Sequence, residues 1–324
     1  MRDEVLAQPH QIGDALWRVD AAKVPQQDAP GGLLVCGVGG SAVGGDLAAA
    51  AIGSRAVRPV RTVRGYAPEP WLDSDTLVLC ASYSGSTEET LACFEQAGGA
   101  GAPRVAITTG GPLAERAREA GVPVIGVPSG MQPRAAVIYM TVAALECAAA
   151  CGAAPSMRAE IEGAAGTLAA LGDDADEARS LAQVLHERLP VVHGAEITAA
   201  PARRWKTQLN ENAKVAAFVS ELPEANHNEI EGWHWAGEHT PAAAVMLSAP
   251  GIHPRVERRI DLTAELLKRA GVPVARASAR GDTATGHVLS LVMLGDLVSV
   301  ELAELAGVDP TPVETLEGFK QQLG

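Results

Sequence analysis

Five short apolar runs in the first half of the chain alternate with stretches of helical length and charge spacing. The runs are 32–36 (GLLVC), 59–63 (PVRTV), 75–80 (DTLVLC), 104–108 (RVAIT) and 122–127 (VPVIGV); the helical stretches are 41–52, 88–97 and 113–120. Runs this short, with a helix between successive ones, predict βαβ units and a parallel sheet covered on both faces. A polar, acidic, Ala-rich stretch at 155–185 reads as a helical connection. After it the alternation returns, with strands expected at 189–193, 243–247 and 272–276 and helices at 200–218, 254–270 and 287–306. The pattern therefore predicts two α/β domains of similar size, 1–153 and 154–324, meeting across a cleft. No short-period repeat or low-complexity tract is present.

With 324 residues, two such domains can each bury a core, built from Ala, Val and Leu because aromatic residues are only 3% of the chain. The formal charge of -13 argues against nucleic-acid and anionic-membrane partners, which normally meet a basic face. It also means that a phosphorylated ligand would have to be held by local donors. Five cysteines with no CxxC pair point to a reducing, cytoplasmic setting. The N-terminal 17 residues carry charge where a signal peptide would carry its apolar core, and they read as an amphipathic helix. The stretch 135–154 is apolar over a membrane-spanning length, but Thr141, Glu146 and its many alanines favour a buried helix.

Two strand-to-helix turns are unusual. Residues 82–90 read SYSGSTEET, with Ser82, Ser84, Ser86 and Thr87 around one glycine, and residues 37–46 read GVGGSAVGGD. A plain turn needs one or two such residues, whereas a bound anion needs many small donors near the free N–H groups of a helix start. In a doubly wound sheet both turns open into one crevice, where hydroxyls and backbone amides can hold a phosphate without formal positive charge. Two other readings stay open. Gly37, Gly39 and Ala42 fit the G-x-G-x-x-G/A dinucleotide pattern, and arginines at the end of the second strand, Arg61 and Arg64, would suit a 2′-phosphate. Both turns could also be purely structural. A Walker A loop is excluded because neither turn has its lysine.

Together, GVGGSAVGGDL, SYSGSTEET, Pro133-Arg134-Ala-Ala, Asn210-Glu-Asn-Ala-Lys214, Glu224-Ala-Asn-His-Asn-Glu-Ile230 and a C-terminal helix reaching Lys320 resemble the bifunctional phosphoglucose/phosphomannose isomerases. The resemblance runs from about residue 30 to the end. It implies two tandem sugar isomerase (SIS) domains, each a doubly wound, flavodoxin-like parallel sheet, in a homodimer. It also implies interconversion of fructose 6-phosphate with glucose 6-phosphate and mannose 6-phosphate, as in glycolysis and gluconeogenesis, without cofactor or metal. On this resemblance Gly39, Gly40, Ser41, Ser82, Ser84 and Thr87 would hold the phosphate. Glu211 would be the base, His227, contributed across the dimer interface, would open the ring, and Arg134 and Lys320 would complete the site.

The chemistry asks for such groups. One carboxylate can move a proton between C1 and C2, a histidine near its own pKa can shuttle the ring-opening proton, and a fixed cation can offset the enediolate charge. Asn226 and Asn228 offer polar company that could fix the His227 tautomer. Each residue also has a plainer reading: Glu211 as a first-turn carboxylate favoured by a helix dipole, Arg134 as half of an ion pair. The stretch 227–239, with three histidines and three glutamates, raises a metal site, although its His spacings of seven and five do not match a zincin helix. A different phosphosugar isomerase and a non-catalytic sugar-phosphate sensor are the remaining alternatives.

Overall fold

The structure, a computed structural model, describes residues 1–172 and 175–323. The chain divides into two units, one made of Leu6–Ala170 with Arg280–Ser290, the other of Met1–Val5, Leu171–Ala279 and Leu291–Gly324. They are called here the first and second unit. Their ranges interleave, whereas the sequence reading drew one boundary at 153/154.

The chain opens with α1 (Arg2–Leu6) and α2 (Gln8–Ala22). The first sheet follows as β1 (Gly32–Cys36), α3 (Gly39–Ile52), β2 (Val60–Val63), β3 (Thr76–Ala81), α4 (Glu88–Gly99), β4 (Arg104–Thr108), α5 (Gly111–Glu119) and β5 (Val124–Gly126), then α6 (Val137–Ala150) and α7 (Arg158–Gly172). All five strands are parallel, in the order β2-β1-β3-β4-β5. That is the doubly wound order with its switch point beside β1 and β3, the two strands followed by the unusual turns. Every residue of β1 and β3 is buried, which is why these strands read as unbroken apolar runs rather than alternating ones.

On one face of the sheet, Leu34, Val78 and Cys80 pack against Cys93, Phe94 and Ala97 of α4 and Leu113 and Ala117 of α5. On the other, α3 and α6 lie close because Gly44 has no side chain: a Cβ there would stand 2.5 Å from the Met140 carbonyl carbon. The stretch Pro133–Ala150 is long and apolar enough to cross a membrane, yet 83% of it is buried within the protein, as expected of a core helix.

The second unit holds α8 (Ala175–Leu185), β6 (Leu189–Ala195), α9 (Ala199–Glu211), β7 (Phe218–Leu222), α10 (Trp233–His239), β8 (Ala242–Ser248), α11 (Pro254–Arg269) and β9 (Val274–Ser278). Then come α12 (Ala284–Leu305), which begins in the first unit, and α13 (Glu314–Leu323). Its sheet is parallel, ordered β7-β6-β8-β9, the first sheet's order without a fifth strand. The sequence reading differs in one element. The helix expected over 200–218 stops at Glu211, and Phe218–Leu222 is an edge strand. Asparagine side chains can take backbone partners in place of helix bonds, and Asn210 Nδ2 donates to the Val215 carbonyl, 2.9 Å away, where the chain leaves the helix.

Candidate active site

In the first unit the two unusual turns interlock. Gly39 takes φ +56 as the chain turns from β1 into α3, and a Cβ on Gly40 would sit 3.3 Å from the Arg134 Cα. The turn after β1 therefore lies directly against the short helical turn Pro133–Ala136. Ser41 Oγ accepts the N–H of Tyr83 at 3.2 Å, which joins this turn to the one after β3. Within the second turn, buried Ser82 shares a 2.8 Å hydrogen bond with Thr87 Oγ1 and accepts the Gly85 N–H at 3.0 Å. Ser84 and Ser86, both exposed or half-exposed, share one of 3.0 Å.

Tyr83 organises the cluster, a role that the motif reading above does not give it. Its carbonyl accepts from Thr109 N and Oγ1 at 3.0 and 2.9 Å. Its hydroxyl donates to the Pro128 carbonyl at 3.1 Å and accepts the Met131 N–H at 3.0 Å. The phenol thus ties both turns to the stretch that leads into Arg134. A bulky ring between two hydroxyls in SYS was the available signal, since a turn made only to be polar has no use for one. Arg134 is 2% exposed and donates from Nη1 to Gln132 Oε1 at 3.1 Å. Seven predicted residues are thereby placed on adjoining segments of one unit: Gly39, Gly40, Ser41, Ser82, Ser84, Thr87 and Arg134.

Among the described residues, the N-cap positions of the two helix starts beside them supply no side-chain cap. Neither Val38 before α3 nor Thr87 before α4 makes a side-chain hydrogen bond to its helix. First-turn N–H groups have no partner within a helix, so such starts beside hydroxyl-rich turns hold donors of the kind an anion requires. The dinucleotide alternative loses its support here, because Arg61 pairs with Glu69 at 3.1 Å and Arg64 with Asp46 at 2.5 Å.

The other predicted residues lie in the second unit. Glu211 is the last residue of α9, not a first-turn carboxylate, so the dipole reading fails: that end of a helix disfavours negative charge. The helix is well anchored. Arg204 and Asp296, 1% and 2% exposed, form a two-pronged ion pair at 3.0 Å, and Trp205 Nε1 donates to the Leu291 carbonyl at 2.6 Å. Gly295 leaves room for that indole, since a Cβ would come within 2.3 Å of it. Buried Asn212 donates to Ser299 Oγ at 2.9 Å, fixing the chain just past Glu211.

His227 ends the short turn Glu224–His227 and is exposed. Its neighbours do not fix its tautomer: Asn226 Nδ2 donates to Thr263 Oγ1 at 2.8 Å and Asn228 Nδ2 to Glu224 Oε1 at 3.0 Å. Lys320 lies in α13, a helix with no buried residue. Neither His227 nor Lys320 has a hydrogen-bond or ion-pair partner among the described residues. The acids and histidines of 227–239 are dispersed: Glu229 accepts from Ser220 Oγ at 2.6 Å and His239 stacks on Trp235 with ring centres 4.7 Å apart. Among the described residues no three His, Cys, Asp or Glu gather as metal ligands would.

Known proteins resemble both the arrangement and the sequence. Residues 174–323 match the family described as bacterial phospho-glucose isomerase C-terminal SIS domain. The tagatose-6-phosphate ketose/aldose isomerase of Escherichia coli has the same fold, with a TM-score of 0.71 at 17% identity over 95% of this chain and 93% of that one. A bifunctional phosphoglucose/phosphomannose isomerase of Caldicellulosiruptor bescii is 36% identical over 90% of this chain and 89% of its own. One from Aquifex aeolicus is 37% identical over 90% of each. With that identity along nearly the whole length, and with both sheets in the SIS order, the chain belongs to the bifunctional phosphoglucose/phosphomannose isomerase family.

Proposed function

We propose that this protein is an aldose–ketose isomerase that interconverts fructose 6-phosphate with glucose 6-phosphate and mannose 6-phosphate through one enediolate, without a metal. The observation that carries the substrate class is the pair of hydroxyl-lined turns joined at Ser41 and Tyr83 beside two uncapped helix starts. Such a cradle offers neutral donors to a phosphate, which suits a chain whose net charge of -13 opposes anions at long range. Gly39, Gly40, Ser41, Ser82, Ser84 and Thr87 bind the phosphate.

His227 takes the proton of the anomeric hydroxyl and returns one to the ring oxygen, opening the ring. Glu211 then removes the proton from C2 of the aldose and delivers it to C1, while the O2 hydroxyl proton passes to O1, giving the ketose. Arg134, charged at any working pH, and Lys320 offset the negative charge that grows on O1 and O2 in between. Glucose and mannose 6-phosphates differ only at C2 and share the same enediol. Rotation about C2–C3 before reprotonation would let one base serve both. The exposed, unpartnered ring of His227 favours its use by a second copy, so the working species is a homodimer in which each site takes the partner subunit's His227. Five buried free thiols fit a cytoplasmic setting.

The test is the formation of glucose 6-phosphate from fructose 6-phosphate and, separately, from mannose 6-phosphate, with added chelator and with Glu211→Gln protein. Both conversions are expected to survive chelation, and the variant to lose on the order of 10²–10⁴-fold in kcat. Activity on one hexose phosphate alone would remove the dual specificity. Silence on both, in protein that still binds them, would favour another phosphosugar or a sensor.

A further inference from the structure

Lys214 follows the end of α9 by three residues and stands in the left-handed region, at φ +58. A side chain is disfavoured there and glycine is the usual occupant. Its ammonium donates to the carbonyl of Glu211 at 2.5 Å and to that of Pro312 at 2.6 Å, with the Pro310 carbonyl at 3.5 Å. Three donors thus meet three carbonyls, one on the residue proposed as the base and two on the connector that leads from α12 into α13.

The last carbonyls of a helix have no partner within it, and α9 has no basic residue in its final turn to supply one. The connector 309–312 (DPTP) has two prolines, which donate nothing from the backbone. Its own internal bond, from Thr311 N–H to Asp309 Oδ1 at 2.8 Å, helps hold the Asp309 carboxyl below its ordinary range, with the Lys214 charge adding to the effect. The middle of α9 is held by Arg204–Asp296 and by Trp205, and Asn212–Ser299 holds the chain just past it, so Lys214 adds the tie from the Glu211 carbonyl itself to the connector.

We infer that Lys214 is a positioning residue: its ammonium ties the C-terminal end of α9, which carries Glu211, to the connector from which α13 and Lys320 start. The inference rests on Glu211 being the base. It requires that loosening this tie misplace the carboxylate without weakening substrate capture, so the effect falls on kcat and not on KM.

The experiment measures kcat and KM for fructose 6-phosphate, together with Tm, in the wild type, Lys214→Gly, Lys214→Arg and Glu211→Gln. Glycine suits the left-handed backbone, so Lys214→Gly keeps its fold. Its kcat is expected to fall about ten-fold or more, because a base displaced by a fraction of an ångström is much less effective. KM should stay within about two-fold, and arginine, which can also donate to the carbonyls, should restore most of kcat. Lys214→Gly with wild-type kcat beside an inactive Glu211→Gln overturns the inference and leaves the base assigned. So does a loss of kcat that merely follows a fall in folded protein, or one that arginine does not restore. Activity retained in Glu211→Gln overturns the base assignment and the inference with it.

Discussion

The two units share a strand order but finish their loops in different ways. In the first, the turns after β1 and β3 crowd hydroxyls together and leave the helix starts uncapped. In the second, the corresponding turns follow β6 and β8; α9 also lacks a side-chain cap at Thr198, but the start of α11 after β8 is closed by the protein's own side chains. Thr198 Oγ1 accepts the Ala195 N–H at 2.9 Å after β6. After β8, His253 Nδ1 accepts the Arg255 N–H at 3.1 Å, and the carboxylate of Glu196 reaches across to accept the His253 N–H at 3.0 Å. A carboxylate on the first N–H groups of a helix occupies the place that a phosphate would want. The turn after β8 is thus filled where the turn after β3 is open, and on the proposed function that difference would confine the phosphate to the first unit.

The largest way to break this contrast is at Gly85. Its φ of +72 and a Cβ placed 1.9 Å from the Gly110 carbonyl oxygen leave no room for a side chain. Gly85→Val should cost on the order of 3 kcal/mol of stability and deform the SYSGSTEET turn, because left-handed strain and overlap with backbone act together. Denaturant unfolding and sugar-phosphate binding would both register it.

The contrast extends to the sheets, and acid sharpens it. Strand β1 of the first sheet is apolar throughout, whereas its counterpart β6 buries His193, 2% exposed, with neither ring nitrogen hydrogen-bonded among the described residues and its ring 5.9 Å from that of Trp233. Burial lowers the His193 pKa to about 4. In the unfolded chain the imidazole titrates near its ordinary value, so its contribution is fully present above about pH 6.5, declines as pH falls through the window to about 4, and is gone below. The window of about 2.5 units corresponds to roughly 3 kcal/mol. His193→Leu should flatten that part of the stability–pH curve, and an unchanged acid limb would place its origin elsewhere.

The smallest effect belongs to Glu196. Glu196→Ala strands the His253 N–H and should cost about 1 kcal/mol in an unfolding titration, with no change in the KM for fructose 6-phosphate.

Much of this was legible because the decisive residues act locally. Buried parallel strands such as β1 and β3 leave continuous apolar runs, and turns that need many small donors leave SYSGSTEET and GVGGSAVGGD. What escaped depends on partners distant in sequence or on exposure. Phe218–Leu222 continues an apolar stretch after α9, and as an edge strand it leaves Phe218 54% exposed, so neither periodicity nor burial marked it. Tyr83 earned its place through bonds to residues 26 to 48 positions on. The Glu196 carboxylate works through a contact 57 residues away, and no spacing rule reaches that far. The site residues were named by motif, and their roles remain with the proposal.

The most direct measurement is glucose 6-phosphate binding by calorimetry to the wild type, to the double variant Ser82→Ala/Thr87→Val, and to Glu196→Ala. If the first unit's turns hold the phosphate, the double variant should bind at least about ten-fold more weakly, the scale of a lost hydrogen bond to a charged group, while Glu196→Ala binds as the wild type does. Undiminished affinity in the double variant, or a loss confined to Glu196→Ala, would contradict the account.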